Sequence, residues 1–201
     1  MPVLENRIHL KKVFNSDEEF NQLYPFTSKK VATRHFTPLH VAKKAAVFLA
    51  AESNVRILDI GSGAGKFCLA AAHNKPEAFY YGVEQRLSLI KDAEAAKQIL
   101  CISNVGFIHG NFTQLDFRNY DHFYFFNSFY ENIAGTNKID NSIDYSGELY
   151  NYYNRYLFKQ LDIKPAGTRI ATYHSLEDEI PPSYHVVGSD VDNLLKYWIK
   201  V

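Results

Sequence analysis

A chain of 201 residues is long enough for one domain with a substantial core. Its 46% hydrophobic and 22% charged residues exclude a disordered or fibrous polymer. The 22 Lys and Arg equal the 22 Asp and Glu, so net charge names no polyanionic partner, although Lys11/Lys12 and Lys29/Lys30 with Arg34 form local basic patches.

Residues 1–36 are polar and mixed, and we expect an N-terminal helical cap or arm of short helices. The opening MPVLENRIHLKK has no apolar core of a secretory leader, and no run of about 18 apolar residues follows. A cytoplasmic protein without a membrane partner is the expectation. Thr37-Pro38 opens a helix, with Thr as N-cap and Pro in the first turn, running to about Glu52 with Leu39, Ala42, Ala46 and Leu49 at helical spacing. Residues 54–60 are an apolar strand ending at the loop of LDIGSGAGKF, and 65–73 return to helix. A strand at 77–84, a helix at 86–100 and strands at 104–110 and 122–127 follow. A polar loop at 135–144 leads to a helix from about Tyr145 to Leu161, then a strand at 167–174 and two closing strands.

This alternation predicts an α/β fold: a Rossmann-like, seven-stranded, mostly parallel sheet with helices on both faces. The last two strands, with no helix between them, predict a C-terminal antiparallel edge hairpin. The 14 Tyr and 15 Phe concentrate at 120–130 and 145–158, read first as core filling and second as pocket lining. Cys68 and Cys101 have no metal-ligand spacing, the eight histidines are scattered, and no metal is expected. Cys68, in an alanine-rich helix, reads as buried packing.

Three glycines at alternate positions behind Asp59 place flexible backbone at the carboxyl end of the first strand, where open α/β sheets bind ligands. A P-loop needs G-x-x-x-x-G-K-[ST], but Phe67 stands in the hydroxyl position and Ile60 in the first glycine position. A dinucleotide fingerprint needs G-x-G-x-x-G, but Lys66 occupies the third glycine position.

The stretch D-x-G-S-G-x-G resembles motif I of the class I S-adenosylmethionine-dependent methyltransferases, and residues 37–201 follow that family's order. The resemblance implies S-adenosyl-L-methionine as cofactor. Asp59 would bind near its amino group, and Gly61, Ser62, Gly63 and Gly65 would pass its methionine part. Glu84, with Gln85 beside it, would bind both ribose hydroxyls, since a carboxylate accepts two hydrogen bonds. In HGNF, Asn111 stands where the family has Asp beside adenine, and the resemblance implies that Phe112 would touch the adenine ring. The helix N-terminus around Lys66 and Phe67 would hold the methionine carboxylate, and Phe36 and Thr37 would contact the cofactor.

Beyond the fourth strand, Asn127-Ser128-Phe129-Tyr130 keeps the Asn and an aromatic of the [DNS]-P-P-[FYW] signature of amino-methylating nucleic-acid enzymes, without its prolines. GVE, GNF and NSF also resemble segments of the Dot1-type lysine methyltransferases, which implies a protein lysine or another amine as acceptor. Asn127 would accept a hydrogen bond from the acceptor or hold the methionine end, and Tyr130 would wall the channel. Glu131 reads first as a solvated helix-start residue and second as the group that attracts or deprotonates an amine; His174 is a second candidate base. The expected function is methyl transfer to an acceptor that is a protein, a small molecule or a nucleic acid, selected by residues 1–36 and 135–144. The alternatives are a NAD(P)-dependent oxidoreductase and a cofactor-binding protein without activity.

Overall fold

A computed structural model describes residues 12–175 and 179–201; Lys11 and the rest of residues 1–11 lie outside the described residues. Two short helices, α1 (Asp17–Asn21) and α2 (Phe26–His35), precede α3 (Leu39–Leu49). Then come β1 (Arg56–Ile60), α4 (Lys66–Asn74), β2 (Phe79–Glu84), α5 (Leu87–Leu100), β3 (Val105–His109) and β4 (His122–Phe126). The chain closes with α6 (Gly147–Asp162), β5 (Arg169–Tyr173), β6 (Tyr184–Asp190) and β7 (Leu195–Lys200).

The seven strands form one sheet in the order β3-β2-β1-β4-β5-β7-β6. The four pairings among β3, β2, β1, β4 and β5 are parallel, and β7 runs antiparallel to both β5 and β6. The expected C-terminal hairpin is present, with β7 inserted beside β5 and β6 left at the edge. Strand order reverses between β1 and β4, and Ile60 lies opposite both Val83 and Phe125. The three strands therefore end level with one another, which brings Gly61, Glu84 and Asn127 to one rim of the sheet.

Side chains alternate across each strand, and the two cores follow that alternation. Ile57, Tyr80, Tyr124 and Ala171 pack with Val41, Ala45, Leu49, Phe67 and Leu69 on the α3–α4 face. Leu58, Ile60, Val83, Phe123, Phe125 and Ile170 pack with Leu157 and Leu161 of α6 on the other. Phe20, Tyr24 and Phe36 of the arm join the first core. No helix among the described residues is long and apolar enough to cross a membrane.

Two helix starts differ from the sequence expectation. Thr37 does not cap α3: its Oγ1 lies 3.1 Å from the Tyr124 hydroxyl, and Pro38 is the residue at the cap position. The orphan N–H of Leu39 instead donates to the Asp17 carboxylate at 2.9 Å. Helix α6 begins at Gly147, because Ser146 Oγ accepts the Leu149 N–H at 3.1 Å and ends the preceding loop.

Candidate cofactor site

The carboxyl ends of β1, β2, β4 and β5 surround a cavity of about 400 Å³. The arm contributes Arg34, His35 and Phe36 to its wall, and the segment after β4 contributes Tyr130, Glu131 and Tyr145. A volume of this size suits a small cofactor.

Glu84 ends β2 and is only 6% exposed. One carboxylate oxygen accepts the Gly63 N–H at 3.2 Å, and the other accepts the Arg86 N–H at 2.9 Å. Burial raises the pKa of Glu84, while the Arg86 guanidinium opposes that shift. Gly63 lines the cavity at φ +54°, and a Cβ there would meet nothing within 4 Å. Its bare backbone therefore faces open space. Gly61 and Gly65 answer to the protein instead. A Cβ at Gly61 would stand 2.7 Å from Ser128, and one at Gly65 would stand 2.3 Å from the Phe107 ring.

Apolar walls complete the cavity. Phe112 stacks on Phe129 with centroids 5.0 Å apart, and Tyr153 meets Phe112 edge-on at 5.5 Å. Asn127 and His174, directly after β4 and β5, hold positive φ angles of 43° and 55° and both line the cavity. Non-glycine residues held there are strained, and such strain concentrates where side chains must be aimed at a ligand.

Of the residues expected at a cofactor, Gly61, Gly63, Glu84, Gln85, Phe112 and Asn127 line the cavity, as do Tyr130 and Glu131. The remaining seven do not. Phe67 is 2% exposed and stacks on Tyr124 at 3.8 Å, because its turn of α4 faces the sheet. Lys66 bonds Asp17 at 2.6 Å and Asn21 at 2.9 Å, so it anchors the arm. Thr37 is committed to Tyr124. Gly65 is packed against Phe107, and Ser62 Oγ is buried without a partner near the Cβ position of Gly82.

Asn111 turns its oxygen to the Thr113 N–H and hydroxyl, both at 3.0 Å, and its amide donates to Gln85 and Tyr153. Asp59 follows strand parity onto the α4 face, where the Cys68 thiol is its hydrogen-bond partner at 3.7 Å. Burial lifts the Asp59 pKa to about 8, with Cys68 opposing and the nearby Glu84 reinforcing.

Sequence reasoning missed Arg86, which is 4% exposed and ties the site together. Its guanidinium donates to Glu131 at 2.9 Å, to Asp140 at 3.2 Å and to the Tyr145 hydroxyl at 2.6 Å. Glu131 also accepts the Ile139 N–H at 2.6 Å. It is therefore a bonded anchor for the 135–144 segment and not a solvated residue. A cation two residues beyond the β2 acid was the available signal. Each Glu84 oxygen accepts one main-chain N–H, and the Arg86 guanidinium lies 3.4 Å from one of them, which leaves acceptor capacity on the carboxylate for the adjacent hydroxyls of a ligand.

A family model described as a methyltransferase domain matches residues 51–187. Curated relatives match over short stretches. One is a tRNA (guanine-N(7)-)-methyltransferase from Microcystis aeruginosa, 41% identical over 54 residues, or 27% of this chain and 26% of that protein. Another is a release factor glutamine methyltransferase from Buchnera aphidicola, 32% identical over 69 residues, or 34% of this chain and 25% of that protein. The chain thus matches about a quarter of the length of these relatives. Among solved structures, TrmN from Thermus thermophilus superposes with a TM-score of 0.58 at 18% identity, covering 87% of this chain and 52% of that one. An RNA methyltransferase from Salinibacter ruber, in complex with S-adenosyl-L-homocysteine, gives 0.56 at 18% identity, covering 82% and 92%. These two likenesses show the fold. With the family model spanning 51–187, the chain belongs to the methyltransferase domain family and has the fold of the class I S-adenosylmethionine-dependent methyltransferases.

Proposed function

We propose that the protein transfers a methyl group from S-adenosylmethionine to a nitrogen nucleophile admitted beside the ends of β4 and β5. The observation that carries this reading is the buried Glu84 carboxylate at the cavity wall, oriented by the main-chain N–H groups of Arg86 and of Gly63, whose bare backbone lines the same cavity. When bound, S-adenosylmethionine supplies a methyl group on a sulfonium whose leaving group is already activated, so alignment is the main demand on the protein.

In this reading Glu84 accepts the ribose hydroxyls, and the stacked Phe112 and Phe129 wall the adenine. Asp59 lies behind the glycine loop, and a cationic amino group beside it would draw its pKa down from about 8. Asn127 accepts a hydrogen bond from the acceptor, and Tyr130, 47% exposed, walls its entry. His35 and His174 both line the cavity, and burial lowers the pKa of each ring. That keeps them neutral near pH 7, the form able to take the proton that the nucleophile sheds. The arm before residue 37 is a wall of the site, since Arg34 and His35 reach the cavity.

The acceptor classes are a protein lysine, a small-molecule amine and a nucleobase. Incubation with methyl-labelled S-adenosylmethionine and a panel of all three tests the proposal. Label should enter at least one class, and Glu84→Ala should abolish it. A protein that binds the cofactor yet labels none of the three would contradict methyl transfer.

A further inference from the structure

Charge is divided unevenly along this neutral chain. Residues 20–51 hold five cations (Lys29, Lys30, Arg34, Lys43 and Lys44), two histidines, and no Asp or Glu. The rest of the chain therefore carries 17 Lys and Arg against all 22 Asp and Glu. The cationic stretch is α2 and α3. Lys30 and Arg34 stand one turn apart on α2, both exposed. His40, Lys43 and Lys44 are exposed on α3, and Val47 continues that face.

The two helices connect two concave features. Arg34, His35 and Pro38 line the mouth of the cofactor cavity. Two residues beyond Pro38, His40, Lys43 and Lys44 border a second groove whose floor includes Phe48 and Tyr197, with ring centroids 4.9 Å apart. Lys44 is partly neutralised by Asp190 at 2.5 Å. Among the described residues, no ion pair engages Lys30, Arg34 or Lys43. Exposed rings flank the face: Phe26, 71% exposed, lies beneath the Lys30 ammonium at 4.7 Å, and Tyr130 stands at the cavity.

We infer that this face docks a single-stranded nucleic acid, its phosphates along α2 and α3 and one base turned into the cavity mouth; the base-acceptor part rests on the methyl-transfer reading above. Cations at one-turn spacing suit a phosphate chain, and interleaved exposed rings suit bases that stack. Along the chain, α2 and α3 lie in a stretch free of carboxylates, and Asp17, beside the start of α3, is held by the Leu39 N–H and Lys66. An acidic protein would meet the same cations but has no base to offer the exposed rings.

Fluorescence anisotropy with a labelled single strand of about 20 nucleotides, as RNA and as DNA, tests this, with polyglutamate of equal length as control. At least one strand should bind. With roughly four phosphate contacts, affinity should fall about 50-fold between ~50 and ~200 mM salt. The Lys30→Glu/Lys43→Glu variant should weaken binding about 10-fold or more, and Lys30→Gln/Lys43→Gln should lower the salt slope by about 1.4. Neither pair lines the cofactor cavity, so S-adenosylhomocysteine affinity should stay unchanged in both. Binding of RNA alone or DNA alone supports the inference and names the strand. No strand binding at ~50 mM salt, equal binding of polyglutamate, or indifference to both variants would overturn it. A protein that binds S-adenosylhomocysteine but no strand refutes this inference alone, whereas failure to bind S-adenosylhomocysteine refutes the function proposed above.

Discussion

Asp59 shows how a residue legible in sequence acquires its chemistry only from its surroundings. Its place in D-x-G-S-G-x-G was readable, but its pKa was not, because that depends on burial against Cys68 and on the distance to Glu84. The folded pKa of about 8 stands above the ordinary carboxylate value. The native state therefore holds a proton that the unfolded chain has lost, and stability falls as pH rises from about 4 to about 8. Asparagine imitates the protonated form. The stability of Asp59→Asn relative to the parent should grow by up to about 1.4 kcal/mol per pH unit across that window. Urea denaturation at pH 5 and pH 8 measures it, and a difference that does not change with pH would contradict the assignment. Asn111 and Phe67 illustrate the limit of motif reading: the motif gives position in the chain, while local bonding to Thr113 and stacking on Tyr124 decide where each side chain goes.

At the scale of elements, the glycine loop divides its labour. Gly65 sits at the N-cap of α4 with φ +76° and would drive a Cβ into Phe107. Gly65→Ala should cost roughly 2–4 kcal/mol, combining the left-handed backbone with overpacking. Gly63 has similar strain but free space, so Gly63→Ala should cost only about 1–2 kcal/mol while weakening S-adenosylhomocysteine binding. Equal stabilities for the two variants would contradict this division. The strands and long helices were legible because their apolar periodicity matches one period over many residues. Helix starts were not. The donor at Leu39 is satisfied by Asp17, 22 residues earlier, and no local pattern announces a tertiary cap. Arg86 escaped notice for the same reason: two of its partners, Glu131 and Asp140, come from beyond β4.

The whole molecule is a sheet whose β1–β4 strand switch fixes the site, held by cores on both faces. His122 lies at the opposite end of β4 from the site, where its Nδ1 accepts the Arg169 N–H at 3.0 Å. Burial first, and then Arg169, lowers its pKa to about 4. The unfolded chain takes up this proton below about pH 6.5 and the native state does not, so stability present above that pH is lost on acidification towards pH 4. The loss is roughly 3 kcal/mol. His122→Asn, which keeps an acceptor, should show a correspondingly shallower decline in thermal denaturation between pH 7 and pH 4; an identical decline would contradict it. Fold class and the place of the site at the end of the first strand were readable from the alternation of elements and the glycine loop, whereas the strand order was seen only in the structure. The uneven charge of α2 and α3 was visible only as a local patch until those helices were placed beside the cavity mouth.

The central claim is that the cavity beside Glu84 is built for S-adenosylmethionine. Isothermal titration with S-adenosylhomocysteine, with NAD as the competing ligand class, tests it most directly. S-adenosylhomocysteine should bind the parent chain, Glu84→Ala should weaken it about 100-fold through loss of two charge-assisted hydrogen bonds, and NAD should give no binding heat. Absence of binding at millimolar S-adenosylhomocysteine, or equal affinity in Glu84→Ala, would contradict the account.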